Sequence, residues 1–304
     1  MPLQRSTRRY LQLDVFADRP GAGNPLGVVF DAGDFDAPSM QAFAAWTNLS
    51  ETIFLLPPTL PGAGYRVRIF TPRQELPFAG HPSVGAAWAA IEGGLATARD
   101  GALLQECAAG LLPVRIEGAP DNPRVDVRAP RARETADAAR LHARALDAAL
   151  AGLALGRQAP ALWSNGPAWW LVELADGATV RTMQPELAAI VALTQASGAV
   201  GLAVYGRTDA IDHQLVVRAY CPADNIPEDP VTGSANACIA AQLAQSGTLP
   251  GHDGRYVASQ GRELGRDGKV HVRVDAEGDA WIGGQVQCVI DGRVDWPARS
   301  GSVR

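Results

Sequence analysis

Cysteine is scarce and unpatterned in this chain of 304 residues: Cys107, Cys221, Cys238 and Cys288 show no C-x-x-C spacing. That excludes a zinc knuckle or a disulfide framework and leaves reduced, buried thiols as the expectation. Histidine is equally sparse. His81, His142, His213, His252 and His271 are dispersed, with no second His or Cys at ligand spacing, so no metal site is expected. Charged residues make up only 19%, the net charge is −5, and no basic stripe exists, which argues against nucleic-acid or anionic-membrane surfaces. No apolar run has the length of a membrane span. The basic start, Met1 to Arg9, leads into Tyr10 to Phe16, which alternates like a strand where a secretion signal needs an apolar core, so the chain reads as cytoplasmic. Low-complexity tracts are absent too. Gly233-Ser234 looks only faintly like a phosphate loop, because the P-loop lysine is missing.

What the chain does have is apolar mass and an internal echo. Hydrophobic residues reach 47%, ample for burial, and 304 residues suit two domains. Arg68-Ile-Phe-Thr-Pro72, with Pro77 after it, registers with Arg218-Ala-Tyr-Cys-Pro222 and Pro227 at an offset of 218 − 68 = 150. Three residues are then gained: Gly80-His81 matches Gly233-Ser234, and Gly94 matches Gly247, both at an offset of 153. We read an internal duplication. In each copy a β-patterned run meets a proline-rich turn, then a glycine, a polar residue and an alanine-rich amphipathic segment. Gly80 and Gly233 therefore fall at helix starts, where free N–H groups and the helix dipole favour an anion and glycine permits close approach. A small carboxylate suits two such helix starts facing one cleft.

Strands are expected at 10–16, 26–30, 52–56, 65–70, 103–116 and 124–127, with a helix over 39–46. Residues 134 to 155 are rich in helix formers. Further strands are expected at 161–164, 169–174, 201–205, 213–220, 255–260, 269–274 and 280–290, with a helix near 185–194. The domains so expected are 1–128, with the last strand of the chain as a candidate to complete it, and 129–304. From Ala298 a loose polar tail is expected.

Glu51 precedes a strand that reads as buried. Asn48 three residues earlier suggests a capping box, but β-patterned sequence follows, which weakens that purely structural role. An acid at the mouth of an apolar strand has the desolvated setting of a general acid/base. His81 alone reads as a capping and packing histidine. Glu228-Asp229-Pro230 sets two carboxylates just ahead of the second helix, where acids are welcome electrostatically. The hydroxyls and amides of Thr232, Gly233 and Ser234 beside them exceed what structure needs.

Gly23-Asn-Pro-Leu26, Leu49-Ser-Glu-Thr52, Glu75-Leu-Pro-Phe-Ala-Gly-His-Pro82, Glu228-Asp-Pro-Val-Thr-Gly-Ser-Ala235, Gln260-Gly261 and Ile282-Gly-Gly284 together resemble the PhzF-like isomerases, in order and over nearly the full length. The resemblance implies an α+β, diaminopimelate-epimerase-like fold of two similar domains, each a β-barrel-like sheet around a central helix, with the active site between them. It implies Glu51 as the proton-transferring acid/base, His81 and Asp229 as polar groups holding substrate, and Ser234 with the amides around Gly80 and Gly233 binding it. Asn225 stands where that family carries glycine, and Gly265-Arg-Asp-Gly268 departs from its usual turn. Relatives that racemise carry a cysteine before each helix-start glycine. Here those positions are Ala79 and Thr232, which excludes two-cysteine inversion.

The expectation is a cofactor-free isomerase that moves a proton between carbons of a small carboxylate, a homodimer by default for an enzyme of this size. An epimerase pairing Glu51 with another base such as Asp229, and a non-catalytic carboxylate-binding protein, are the alternatives.

Overall fold

Residues 5–119 and 122–298 are described by the computed structural model of the chain. They form two compact units, one of the described residues up to Val127 together with those from Gly284 onward, the other Arg128–Gly283. The last stretch thus groups with the first unit, whereas a plain boundary at 128/129 leaves it with the second.

In the first unit come β1 (Arg5–Val15), β2 (Asn24–Val29), α1 (Ala37–Thr47), β3 (Glu51–Leu56), β4 (Tyr65–Phe70), β5 (Glu75–Leu76), α2 (Gly80–Glu92), β6 (Ala102–Cys107), β7 (Gly110–Ala119) and β8 (Asn122–Arg128). The second carries β9 (Arg133–Glu134), α3 (Ala138–Leu141), α4 (Ala143–Ala149), β10 (Ala161–Ser164), β11 (Ala168–Glu173), α5 (Gly177–Thr182), α6 (Leu187–Ser197), β12 (Gly201–Arg207), β13 (Leu215–Cys221), β14 (Ile226–Asp229), α7 (Gly233–Gln245), β15 (Arg255–Gln260), β16 (Gly268–Val274) and β17 (Ala280–Gly284). The chain then returns to the first unit as β18 (Val286–Pro297), antiparallel to β1.

The two units pair their strands in the same order. In the first, β1 lies antiparallel to β2, β2 parallel to β3, β3 antiparallel to β4, β4 antiparallel to β5 and parallel to β6, and β6 antiparallel to β7. In the second, β10 to β16 repeat that series, from β10 antiparallel to β11 through β13 parallel to β15. Each parallel step needs a crossover, which the segments containing α1 and α2 supply in the first unit and those containing α6 and α7 in the second.

The central helices α2 and α7 are buried along nearly their whole circumference, from Gly80 to Ala87 and from Gly233 to Ala240. A helix apolar all round has to be enclosed, and its alanines let strands approach closely. Both end alike: Gly94 (φ 71°) and Gly247 (φ 66°) take left-handed backbone, and the next residue donates back into the helix, Leu95 N–H to Ala90 O and Thr248 N–H to Leu243 O. The echo also extends to side chains. Arg68 grips Glu75 through two bonds of 2.7 and 2.6 Å, and Arg218 grips Glu228 through two of 2.9 and 2.8 Å. Each guanidinium also lies over a ring, Phe70 at 5.1 Å and Tyr220 at 5.3 Å.

Several local expectations change. The helix-forming tract 134–155 yields only α3 and α4, because Glu134 is drawn into a ladder with Trp163 and the positive φ of Gly152 (75°) follows the end of α4. Helix α5 was not expected. Its six residues are too few for a periodic signal, and Asp176 starts it by accepting from Thr179 N–H at 2.7 Å. Asn48 ends α1 with φ 53°, so the Asn48/Glu51 spacing is a helix stop before a strand and not a capping box. The run 280–290 divides into β17 and β18. Cys107, Cys221 and Cys238 are buried, but Cys288 is exposed on β18, in a run from Cys288 to Asp291 whose side chains are all exposed. Asn225 adopts φ 67°, the left-handed conformation glycine would take most easily. The tail expected after Ala298 lies outside the described residues, while the carbonyl of Ala298 itself accepts from Asp36 N–H at 2.9 Å. Among the described residues, no helix is long and apolar enough to cross a membrane.

Candidate active site

Two clusters hold the candidate side chains, one in each unit. In the first unit, Glu51 is the opening residue of β3, whose remaining five residues are all buried. The parallel register of β2 against β3 pairs Leu26 with Glu51, which brings the start of β2 beside the start of β3. Asn24, fully buried, stands there. The second residue of α2, His81, completes the group: its Nε2 faces Glu51 Oε2 at 3.5 Å, and its Nδ1 lies 3.3 Å from Asn24 Nδ2. Ser50 Oγ donates to Asn24 Oδ1 at 3.2 Å.

Burial governs the electrostatics of this cluster. The His81 side chain is 5% exposed, and desolvation lowers its pKa from 6.5 to about 3, so the ring is neutral at physiological pH. Helix α2 begins at Gly80 behind Ala79, and no side chain caps it. A neutral imidazole, a carboxylate and an uncapped helix start are thus grouped at one end of the sheet.

The second unit assembles Asp229 at the end of β14 with Thr232, Gly233 and Ser234 at the start of α7. The Thr232 hydroxyl donates to Asp229 Oδ2 and accepts from Gln260 Nε2 at 2.9 Å, while Gln260 Oε1 accepts from Thr232 N–H at 3.0 Å. Asn236 Nδ2 reaches both Thr232 O (2.9 Å) and Gln260 Oε1 (3.2 Å). Ser234 Oγ accepts from Trp169 Nε1 at 3.1 Å, which leaves the hydroxyl proton of Ser234 for another partner. Its carbonyl accepts from Asn165 Nδ2 at 3.1 Å.

Of the residues anticipated from sequence, Glu51, His81 and Gly80 come together, as do Asp229, Thr232, Gly233 and Ser234. Glu228 belongs to neither cluster, because neighbours along a strand point to opposite faces and Glu228 faces Arg218. Asn165, Trp169 and Asn236 were not anticipated from sequence, and Asn24, Ser50 and Gln260 were met only within motifs. Buried polar side chains beside a helix-start glycine were the available signal, and burial at a strand end is not a local property.

The repeat also shows what the second unit lacks. Registers run Leu26–Glu51 and Thr52–Phe70 in the first unit, and Trp169–Gly201 and Leu202–Tyr220 in the second, so Gly201 stands where Glu51 does. A Cβ at Gly201 would lie 2.5 Å from Trp169 Cζ3 and 2.5 Å from Tyr220 O. The indole of Trp169 fills the space that an acid would need. Among the described residues, no group of three or more His, Cys, Asp or Glu is arranged to hold a metal ion.

Residues 13–292 match the family model described as phenazine biosynthesis-like protein. Antisense-enhancing sequence 1 of Schizosaccharomyces pombe is 32% identical over 295 residues, which is 93% of this chain and 97% of that protein. A trans-2,3-dihydro-3-hydroxyanthranilate isomerase of Pseudomonas aeruginosa is 34% identical over 273 residues, 89% of this chain and 92% of its own. Further relatives carry the name isomerase. The solved structure of a predicted epimerase from Pseudomonas aeruginosa is similar at a TM-score of 0.75 and 30% identity, covering 95% of this chain and 98% of its own.

Proposed function

Because the chain belongs to the phenazine biosynthesis-like family and is a small-molecule isomerase, we propose that it moves a proton between two carbons of a carboxylate-bearing substrate, without a cofactor and with Glu51 as its single acid/base. The observation that carries this reading is the buried pairing of the Glu51 carboxylate with a neutral imidazole 3.5 Å away. Ionised Glu51 takes a proton from a carbon activated by adjacent unsaturation or a carbonyl. The C–H electron pair enters the conjugated system, and the glutamic acid so formed returns the proton to another carbon of that system, with the double bond relocated. His81 steadies the oxygen on which charge develops, Asp229 orients polar substituents, and Gly80, Thr232, Gly233 and Ser234 bind the remaining polar groups of the substrate.

Gly201 supports the count of one. The duplicated position is closed to any side chain, so the repeat supplies no second glutamate. Thr232 is engaged with Asp229, and Ala79 carries no base.

Turnover in deuterated water against a panel of small unsaturated and amino carboxylates, with trans-2,3-dihydro-3-hydroxyanthranilate among them, tests the reading. Wild type is expected to relocate a double bond, and Glu51→Gln to lose about 10²–10⁴-fold in rate. Stereoinversion with every double bond left in place would instead establish an epimerase. Binding by both forms with no exchange of carbon-bound hydrogen would leave a carboxylate-binding protein.

A further inference from the structure

The bonds behind His81 decide which ring nitrogen bears its proton. Ser50 Oγ donates to Asn24 Oδ1 at 3.2 Å, and the other end of that amide, Nδ2, lies toward the ring, 3.3 Å from Nδ1. An amide NH2 group only donates, so Nδ1 has to present its lone pair. In a neutral imidazole the proton then sits on Nε2, the atom that faces Glu51 Oε2 at 3.5 Å. We infer that Asn24, held by Ser50, is a positioning residue that locks His81 in the Nε2–H tautomer and makes it a standing neutral donor beside Glu51.

Two consequences follow for the chemistry, and they rest on the proposed reading of Glu51 and His81. With its outward nitrogen protonated, His81 cannot take a proton from carbon, so base catalysis at this cluster falls to Glu51 alone. An imidazolium at the same spot would stabilise the Glu51 carboxylate and weaken it as a base, whereas a neutral N–H leaves it basic and still donates to an oxygen gaining charge. Burial of the ring, with the pKa pushed down to about 3, works in the same direction. Asn24 supplies what burial cannot: burial sets the charge, and the amide sets the side on which the proton stays.

Nitrogen-15 NMR of protein labelled at histidine reads the tautomer without substrate. His81 is assigned among the five histidines by the signals that vanish in His81→Gln. In wild type near neutral pH, Nε2 is expected at the protonated, pyrrole-type shift and Nδ1 at the unprotonated, pyridine-type shift. Asn24→Asp replaces the donor with an acceptor and is expected to bring a proton onto Nδ1, and Ser50→Ala to broaden the single tautomer into a mixture. An Nδ1–H tautomer in wild type overturns the inference, as does an unchanged tautomer in an Asn24→Asp protein whose other histidine signals remain native. Should Asn24→Asp fail to fold, the wild-type spectrum and Ser50→Ala still decide. Full turnover by Glu51→Gln alongside an Nε2–H His81 would end the catalytic reading and leave the tautomer assignment standing.

Discussion

Acid should weaken this protein through His81 in a way that one substitution removes. The ring titrates near 6.5 when unfolded and at about 3 when folded, because burial penalises the charged form. Between those values the unfolded chain holds one more proton, so stability rises with pH by about 1.4 kcal/mol per unit. The contribution is fully present above 6.5 and is lost as pH falls toward the folded value, about 5 kcal/mol across the whole window. By about pH 5 the loss is about 2 kcal/mol. The side chain is only 5% exposed, so solvent does little to screen the effect. His81→Gln keeps a neutral donor and acceptor but has nothing to titrate. Urea unfolding of both proteins at about pH 7.5 and about pH 5 isolates the ring, since His213, whose pKa burial also lowers, is common to both and cancels in the difference. Wild type should lose about 2 kcal/mol more than the variant on acidification. Equal losses would falsify the claim of a buried neutral ring.

The duplicated ion pairs should differ in value despite their shared geometry. Arg218 and Glu228 are 7% and 9% exposed, and Arg218 also donates to Met183 O at 2.7 Å, so Glu228→Gln should cost about 3–5 kcal/mol in chemical denaturation. Arg68 and Glu75, at 27% and 35%, lie in reach of water, and Glu75→Gln should cost under about 1 kcal/mol in the same assay. Gly201→Ala forces a methyl against the Trp169 ring and the Tyr220 carbonyl, and thermal unfolding should show a loss of about 1–3 kcal/mol. Trp169→Phe takes away the donor to Ser234 Oγ, a bond worth about 1 kcal/mol. Its effect on turnover should appear in KM ahead of kcat if Ser234 holds the ground-state substrate.

Local pattern carried much of this molecule. Strand alternation, the proline and glycine punctuation and the alanine-rich tracts depend only on near neighbours, so the central helices, their glycine starts and ends, and most of the longer strands were legible in the residues themselves, while the short β5, β9 and β14 and the division of 103–116 into β6 and β7 were not. So was the acid at the head of β3, because an apolar run directly after a carboxylate is visible without coordinates. What needed the tertiary structure were contacts whose partners are far apart in the chain. The register of β18 on β1, from Arg5 against Pro297, is set between strands far apart in the chain, and no local pattern near either strand fixes it. The strand face settles that Glu228 meets Arg218, and a one-residue change of register would reverse it. The side-by-side start of β2 and β3 gives His81 its Asn24 and Glu51, and the space at Gly201 is closed by an indole 32 residues earlier, 201 − 169, in the chain. Composition and spacing determined which segments form and which groups are available. Long-range register determined which atoms those groups face, because side-chain partners across a sheet are set by pairing and not by distance along the backbone.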